Sequence, residues 1–140
     1  MMNSFFIIND NQQISIDAQF AGYVVFYKKS KEESVATIQD TLYTKLIENA
    51  LKLKLAQFLF VDISTNTVRF SALKKVLDIH KCFLFGVKEH EIGVNFDLEP
   101  YRLTHVASVD FLKTDAPEVL ENDKVLKNKL WTQLQISFKL

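Results

Sequence analysis

Only three glycines, two prolines and one cysteine occur in the chain, and the scarcities of glycine and of cysteine each remove a class of site. Gly22, Gly86 and Gly93 are too few and too scattered to build a backbone cradle for phosphate, and neither a phosphate loop nor a G-x-S-x-G elbow is present. The single Cys82 excludes an intrachain disulfide and any thiol-rich metal centre. Set in CFLFGV, it reads as a small buried hydrophobe, and the lack of disulfides is compatible with a reducing compartment. A charge surplus is missing too: lysine and arginine number 17, as do aspartate and glutamate. Wrapping a phosphate backbone needs a basic excess, at least locally. No basic-then-apolar leader opens the sequence. No apolar run approaches the roughly 20 residues that cross a bilayer. The expectation is a soluble, cytoplasmic protein.

What is present is apolar and aromatic. Nearly half of the 140 residues (48%) are hydrophobic, and twelve are Phe, enough for one domain over residues 1–140 with a Phe-rich core. Phe5, Phe6, Ile7 and Ile8 form a short apolar run before the turn-like Asn9-Asp10-Asn11. Ile14 and Ile16 then alternate with polar residues, so the two pieces suit a hairpin. Residues 23–27 (YVVFY) are β-branched and aromatic throughout, a strand signal.

From Val35 the period changes. Val35, Ile38, Leu42, Leu46 and Ala50, widened by Tyr43, Ile47 and Leu51, predict an amphipathic helix of about 16 residues. Residues 58–61 (FLFV) read as a central strand covered on both faces. Ser71 is placed to cap a short helix, Cys82 begins a third core strand ending at Gly86, and residues 101–106 (YRLTHV) form a fourth. Pro117 opens a helical turn, and Asp123 caps a last helix striped by Leu126, Leu130 and Leu134. This alternation predicts an α/β fold with a largely parallel central sheet of about four to five strands and helices on both faces.

Chemistry is sparse. His80, His90 and His105 show no metal-site spacing, and no HExxH or cysteine-pair motif occurs, so neither a metal nor another cofactor is expected. The strongest local cluster is Glu89, His90 and Glu91, just past the carboxyl end of a strand, where open α/β sheets bind ligands. With His105 and Ser108 it makes a candidate cleft, although no nucleophile accompanies it and a solvated charged turn reads the same way. No catalytic residue is assigned. Lys28, Lys29 and Lys31 beside Tyr23 and Tyr27 suit single-strand gripping by stacking and charge, but alternation puts Tyr23, Val25 and Tyr27 on one face that a core also claims.

The end of the chain carries a more specific pattern. From Leu103 it reads LTHVASVDFLKTDAPEVLENDKVLKNKLWTQL: a strand-like run, a Val106-Ala107-Ser108 turn, then a charged helix with the only Trp, Trp131. In that order it resembles the psi subunit family of bacterial DNA polymerase III, where a Val-Ala-Ser turn precedes a helix ending in an Ala-Leu-Trp step. More distantly it is similar to the uracil-DNA glycosylase fold, to which psi is related. The similarity covers residues 14–134, and its specific parts are VAS and LKNKLWTQL, with a longer spacer between them than in psi sequences.

The resemblance implies a three-layer α/β/α sandwich, uracil-DNA glycosylase-like, whose catalytic apparatus is lost. The glycine-rich glycosylase loop is replaced by Lys28-Lys29-Ser30-Lys31-Glu32-Glu33, and neither His105 nor Val106-Ala107-Ser108 keeps the proline of the His-Pro-Ser element. It implies a non-catalytic adaptor of the replication machinery whose partners are clamp-loader subunits or a chi-like protein. Direct nucleic-acid binding is then weak or absent. Psi reaches the clamp loader through an N-terminal segment; here only residues 1–11 precede the first alternating strand, leaving Phe5, Phe6, Ile7 and Ile8 as a shortened apolar anchor or as an edge strand. The alternatives are a nucleobase- or nucleotide-processing enzyme of the glycosylase fold and a single-strand-binding module.

Overall fold

The computed structural model describes residues 4–9, 12–65 and 67–140, with side chains from Ile14 onward. The chain opens as a hairpin ribbon, β1 (Ser4–Asn9) antiparallel to β2 (Gln12–Ile16), separate from the main sheet and lying beside α2 (Phe70–Val76). The side chains of Phe5, Phe6, Ile7 and Ile8, the expected anchor, lie outside the described residues.

YVVFY becomes β3 (Tyr23–Tyr27), and α1 (Glu33–Thr44) follows it. The helix then widens into a π-helical turn, Lys45–Ala50, in which Leu51 N–H donates to the Leu46 carbonyl at 2.9 Å. The extra residue in that turn shifts the phase of the stripe. Leu42, Tyr43, Ile47 and Leu51 are buried, whereas Leu46 is half-buried and Ala50 exposed.

Next come β4 (Phe58–Asp62), α2 and β5 (Lys81–Phe85). The FLFV run was expected to be central; it is the edge of the sheet, whose order is β4-β3-β5-β7-β6. Both of its faces are still covered, Phe58 and Phe60 packing on the α1 side and Leu59 and Val61 on the α2 side, which is why its residues are apolar. Helix α2 starts one residue before Ser71, with Arg69 rather than Ser71 at the cap and no side-chain capping bond.

The largest departure concerns the fourth parallel strand. Within residues 101–106 only β6 (Thr104–Val106) is a strand, and it runs antiparallel. The parallel partner of β5 is β7 (Val109–Thr114), so the VAS turn leads into a strand rather than a helix. Ala107 and Ser108 form the two-residue hairpin between β6 and β7, with φ of 51° and 66°. Positive φ at both positions is the geometry that normally selects Asn-Gly, and non-glycine residues pay for it. Replacing the pair by Asn-Gly is expected to stabilise the fold by about 1–2 kcal/mol, read as a higher urea midpoint at unchanged slope.

The C-terminal elements match expectation more closely. Pro117 is the first residue of α3 (Pro117–Leu120), and Asp123 caps α4 (Lys124–Ser137), accepting from Val125 and Leu126 N–H at 3.0 and 3.1 Å. Alternation along the strands divides the core. Val24, Phe26, Cys82, Leu84 and Phe111 face Leu73 of α2, while Val25, Phe83, Phe85 and Leu112 face α1 and α4. The result is an α/β fold: a five-stranded, mostly parallel sheet with helices on both faces. Among the described residues no helix is long and apolar enough to cross a membrane.

Candidate functional site

Because β3 lies between β4 and β5, the connections leaving β3 and β5 diverge there, and the crevice at their carboxyl ends is where such sheets bind ligands. Here it is occupied by the protein's own side chains. Lys28, just after β3, forms an ion pair at 2.5 Å with Glu91, which stands in a short 3-10 turn (Glu89–Ile92) after β5. Gln39 of α1 is buried beneath: its Nε2 donates to the Lys28 carbonyl (3.0 Å) and to Glu118 (3.3 Å), and its Oε1 accepts from Ser30 N–H (3.2 Å).

The Glu89-His90-Glu91 cluster splits by role. Glu89 is buried; one oxygen accepts from Leu98 N–H at 3.0 Å and the other lies 2.7 Å from Lys113 Nζ in an ion pair. Burial alone raises its pKa, but Lys113 and the Leu98 amide outweigh that and hold the carboxyl below its ordinary range. Glu91 is held low in the same way: burial opposes ionisation, and Lys28 with the Lys88 amide overcomes it. Both are ionised carboxylates, each held in an ion pair with a lysine. His90 is exposed beside them, over a polar hollow of about 320 Å³ that Asn95 and Asp97 complete.

His105 and Ser108 are not part of that hollow. They belong to the β6–β7 hairpin, at the opposite, amino-terminal edge of the sheet, so the five residues of β5 separate them from Glu89. At about 3.3 Å per residue that strand keeps the two groups well beyond contact. The expected cleft therefore does not assemble. Ser108 is exposed at the hairpin tip.

His105 instead enters a polar cluster invisible to motif reading. Its Nδ1 lies 2.7 Å from Asp110 Oδ1, while Asp110 Oδ2 accepts from Lys81 Nζ at 3.0 Å and from the Ser137 hydroxyl at 3.1 Å. Lys81 Nζ also donates to the Ser137 carbonyl (2.8 Å) and hydroxyl (2.9 Å), 4.9 Å over the Phe138 ring. Burial raises the Asp110 pKa, yet the bonds from His105 and Lys81 reverse the sign and hold it below the usual carboxylate value. A serine beside a lysine suggests a nucleophile and its base. However, Ser137 is buried, and Lys81 sits among three oxygens, a setting for an ammonium ion with no lone pair to offer. Its charge instead complements the carbonyl end of α4 and ties that helix to β5 and β7.

A third feature is an open groove of about 310 Å³ between the C-terminal part of α1 and α4. Leu42, Leu46, Leu120, Leu130 and Trp131 line it, with Lys45 and Lys127 at the rim. Both lysines reach only loosely toward Glu121, at 3.8 and 3.7 Å, and one buried oxygen of Glu121 has no hydrogen-bond partner among the described residues. The sequence signal for this groove was the lone Trp together with a helix stripe too wide for one core-facing seam; what it did not give was that the two surplus faces meet.

Among the described residues no group of three or more His, Cys, Asp or Glu side chains is arranged to hold a metal ion. No family model, curated protein or solved structure matches the chain.

Proposed function

We propose that this chain is a non-catalytic protein–protein adaptor of the DNA replication machinery, a psi-like accessory subunit of the clamp loader. The observation that carries the reading is the α1–α4 groove, because the Trp131 helix that resembles psi is also the wall of an open apolar surface. Half-buried Trp beside Leu is the composition of an interface hot spot. Lysines at both rims suit a partner segment whose apolar side chains are flanked by carboxylates. The ion pairs and Gln39 that occupy the switch-point crevice favour binding over chemistry there. We read the α/β architecture, with parallel strands in the order β4-β3-β5-β7, as a glycosylase-like three-layer sandwich. In that reading Trp131, not the hairpin turn at Ala107-Ser108, carries the likeness.

The test is reconstitution with purified clamp-loader subunits and a chi-like protein, followed by gel filtration. A stable complex is expected, with affinity reduced at least about 30-fold by Leu46→Glu or Trp131→Ala, since hot-spot truncation costs about 2 kcal/mol or more. Phe5→Ala/Phe6→Ala in parallel asks whether the N-terminal run contributes. Absence of any complex, or one indifferent to both groove variants, contradicts the proposal. Binding to single-stranded DNA that weakens steeply with salt would favour the nucleic-acid-binding alternative instead.

A further inference from the structure

A separate pocket, independent of the groove, opens beneath α1 at the β4 edge of the sheet. Its volume is about 310 Å³, and Tyr27, Tyr43 and Phe60 wall it, with Asp40, Thr44 and Leu55 completing the lining. The three rings meet like the corner of a box. Tyr27 stands at 76° to Tyr43 and 86° to Phe60, Tyr43 at 59° to Phe60, with centroids 5.7, 6.2 and 5.1 Å apart. Aromatic rings thus line the pocket on more than one side, and ring faces are the negative pole of the aromatic quadrupole.

The one charged residue in the lining is an acid. Asp40 is exposed at the mouth and has no ion-pair partner among the described residues. Burial raises the Tyr27 phenol pKa first, and Asp62 and Asp40 add to it; at Tyr43 burial is followed by Tyr27, Glu118 and Asp40. The charged residues that raise the two phenols are Asp40, Asp62 and Glu118, all acids.

We propose that this corner binds an alkylated ammonium cation, the group shared by choline and by a methylated lysine side chain. The cation sits against the half-buried Tyr27 and Phe60 rings, with the buried Tyr43 ring behind them and Asp40 supplying the countercharge. Desolvated cation–π contacts favour such ions over neutral groups of the same shape. The pocket is shallow and walled on one side by the edge strand, so it suits a compact head group better than an extended ligand.

The full chain is titrated by NMR with choline and with the neutral alcohol in which a quaternary carbon replaces the nitrogen. Choline is expected to shift the Tyr27, Tyr43 and Phe60 ring resonances with an affinity at least about tenfold above that of the alcohol. Asp40→Asn, on an exposed side chain, and Phe60→Leu are each expected to weaken it at least about threefold while the remaining spectrum stays folded. A short peptide carrying trimethyllysine forms the second arm: tighter binding than choline assigns a protein-borne source, weaker binding a free small molecule. Equal shifts by the alcohol and choline, or no shift of these rings by choline or peptide at millimolar concentration, overturns the proposal.

Discussion

Asp110→Ala is expected to lower the unfolding free energy by about 3 kcal/mol at neutral pH, the low end of the range for breaking a buried ion pair from one side, since this pair is part-buried. The size follows from what is left behind. Lys81 and Asp110 side chains are only 14% and 19% exposed, so the variant strands an ammonium among the Ser137 oxygens without its counter-ion. Replacing both partners, Lys81→Met with Asp110→Leu, should cost far less than either single change, because desolvation of the charges is removed with their attraction. The pH dependence has a definite sign. The folded pKa of Asp110 is depressed, so its contribution is fully present above the unfolded carboxylate value of about 3.9 and is lost as pH falls through the folded value. Urea midpoints of wild type and Asp110→Ala should therefore lie closer together near pH 3 than at neutral pH. Unchanged separation across that window would remove the ion pair from the account.

The second large effect is at Phe111. Its ring is buried in β7 between Phe70 at 5.1 Å and Phe96 at 5.2 Å, with interplanar angles of 59° and 82°. Phe111→Ala removes the transfer energy of the ring and leaves a cavity that Phe70 and Phe96 cannot both close, a loss of about 3–5 kcal/mol. Val125→Ala is the matched control. That side chain is 63% exposed, so its truncation should stay within about 0.5 kcal/mol. Chemical denaturation of the two variants separates them at once. A small effect at Phe111 would deny β7 its place inside the sheet.

That strand is also where sequence reasoning stops. VDFLKT interrupts its apolar residues with Asp110 and Lys113, which argues against a covered strand until their partners are known. Asp110 pairs with Lys81, its register neighbour on β5, and Lys113 with Glu89 after β5. Both contacts are non-local, so no window of sequence contains them. The turn before β7 lacks the Asn-Gly signature as well, and Ala107-Ser108 reaches the same geometry under strain. By contrast β3, β5, the Pro117 turn and the Asp123 cap were legible, because each is decided by residues within a few positions.

The candidate sites follow the same rule. Glu89, His90 and Glu91 are contiguous and were found; their engagement by Lys113 and Lys28 was not readable, since those lysines arrive from other strands. His105 and Ser108 were joined to them by chemical type alone, and the parallel register of β5 and β7 sets them at the other edge. Leu46 and Trp131 lie 85 positions apart in sequence and meet only because α1 and α4 cover the same face of the sheet. Tyr27, Tyr43 and Phe60 converge for the same reason, from a strand end, a helix and an edge strand.

The adaptor reading is tested most directly by hydrogen exchange on the chain with and without a reconstituted clamp-loader partner. Slower exchange on binding is predicted across residues 42–50 and 126–134, the two walls of the groove, with the turn Glu89–Ile92 unchanged. Protection confined to that turn, or no protection at either wall, would contradict it.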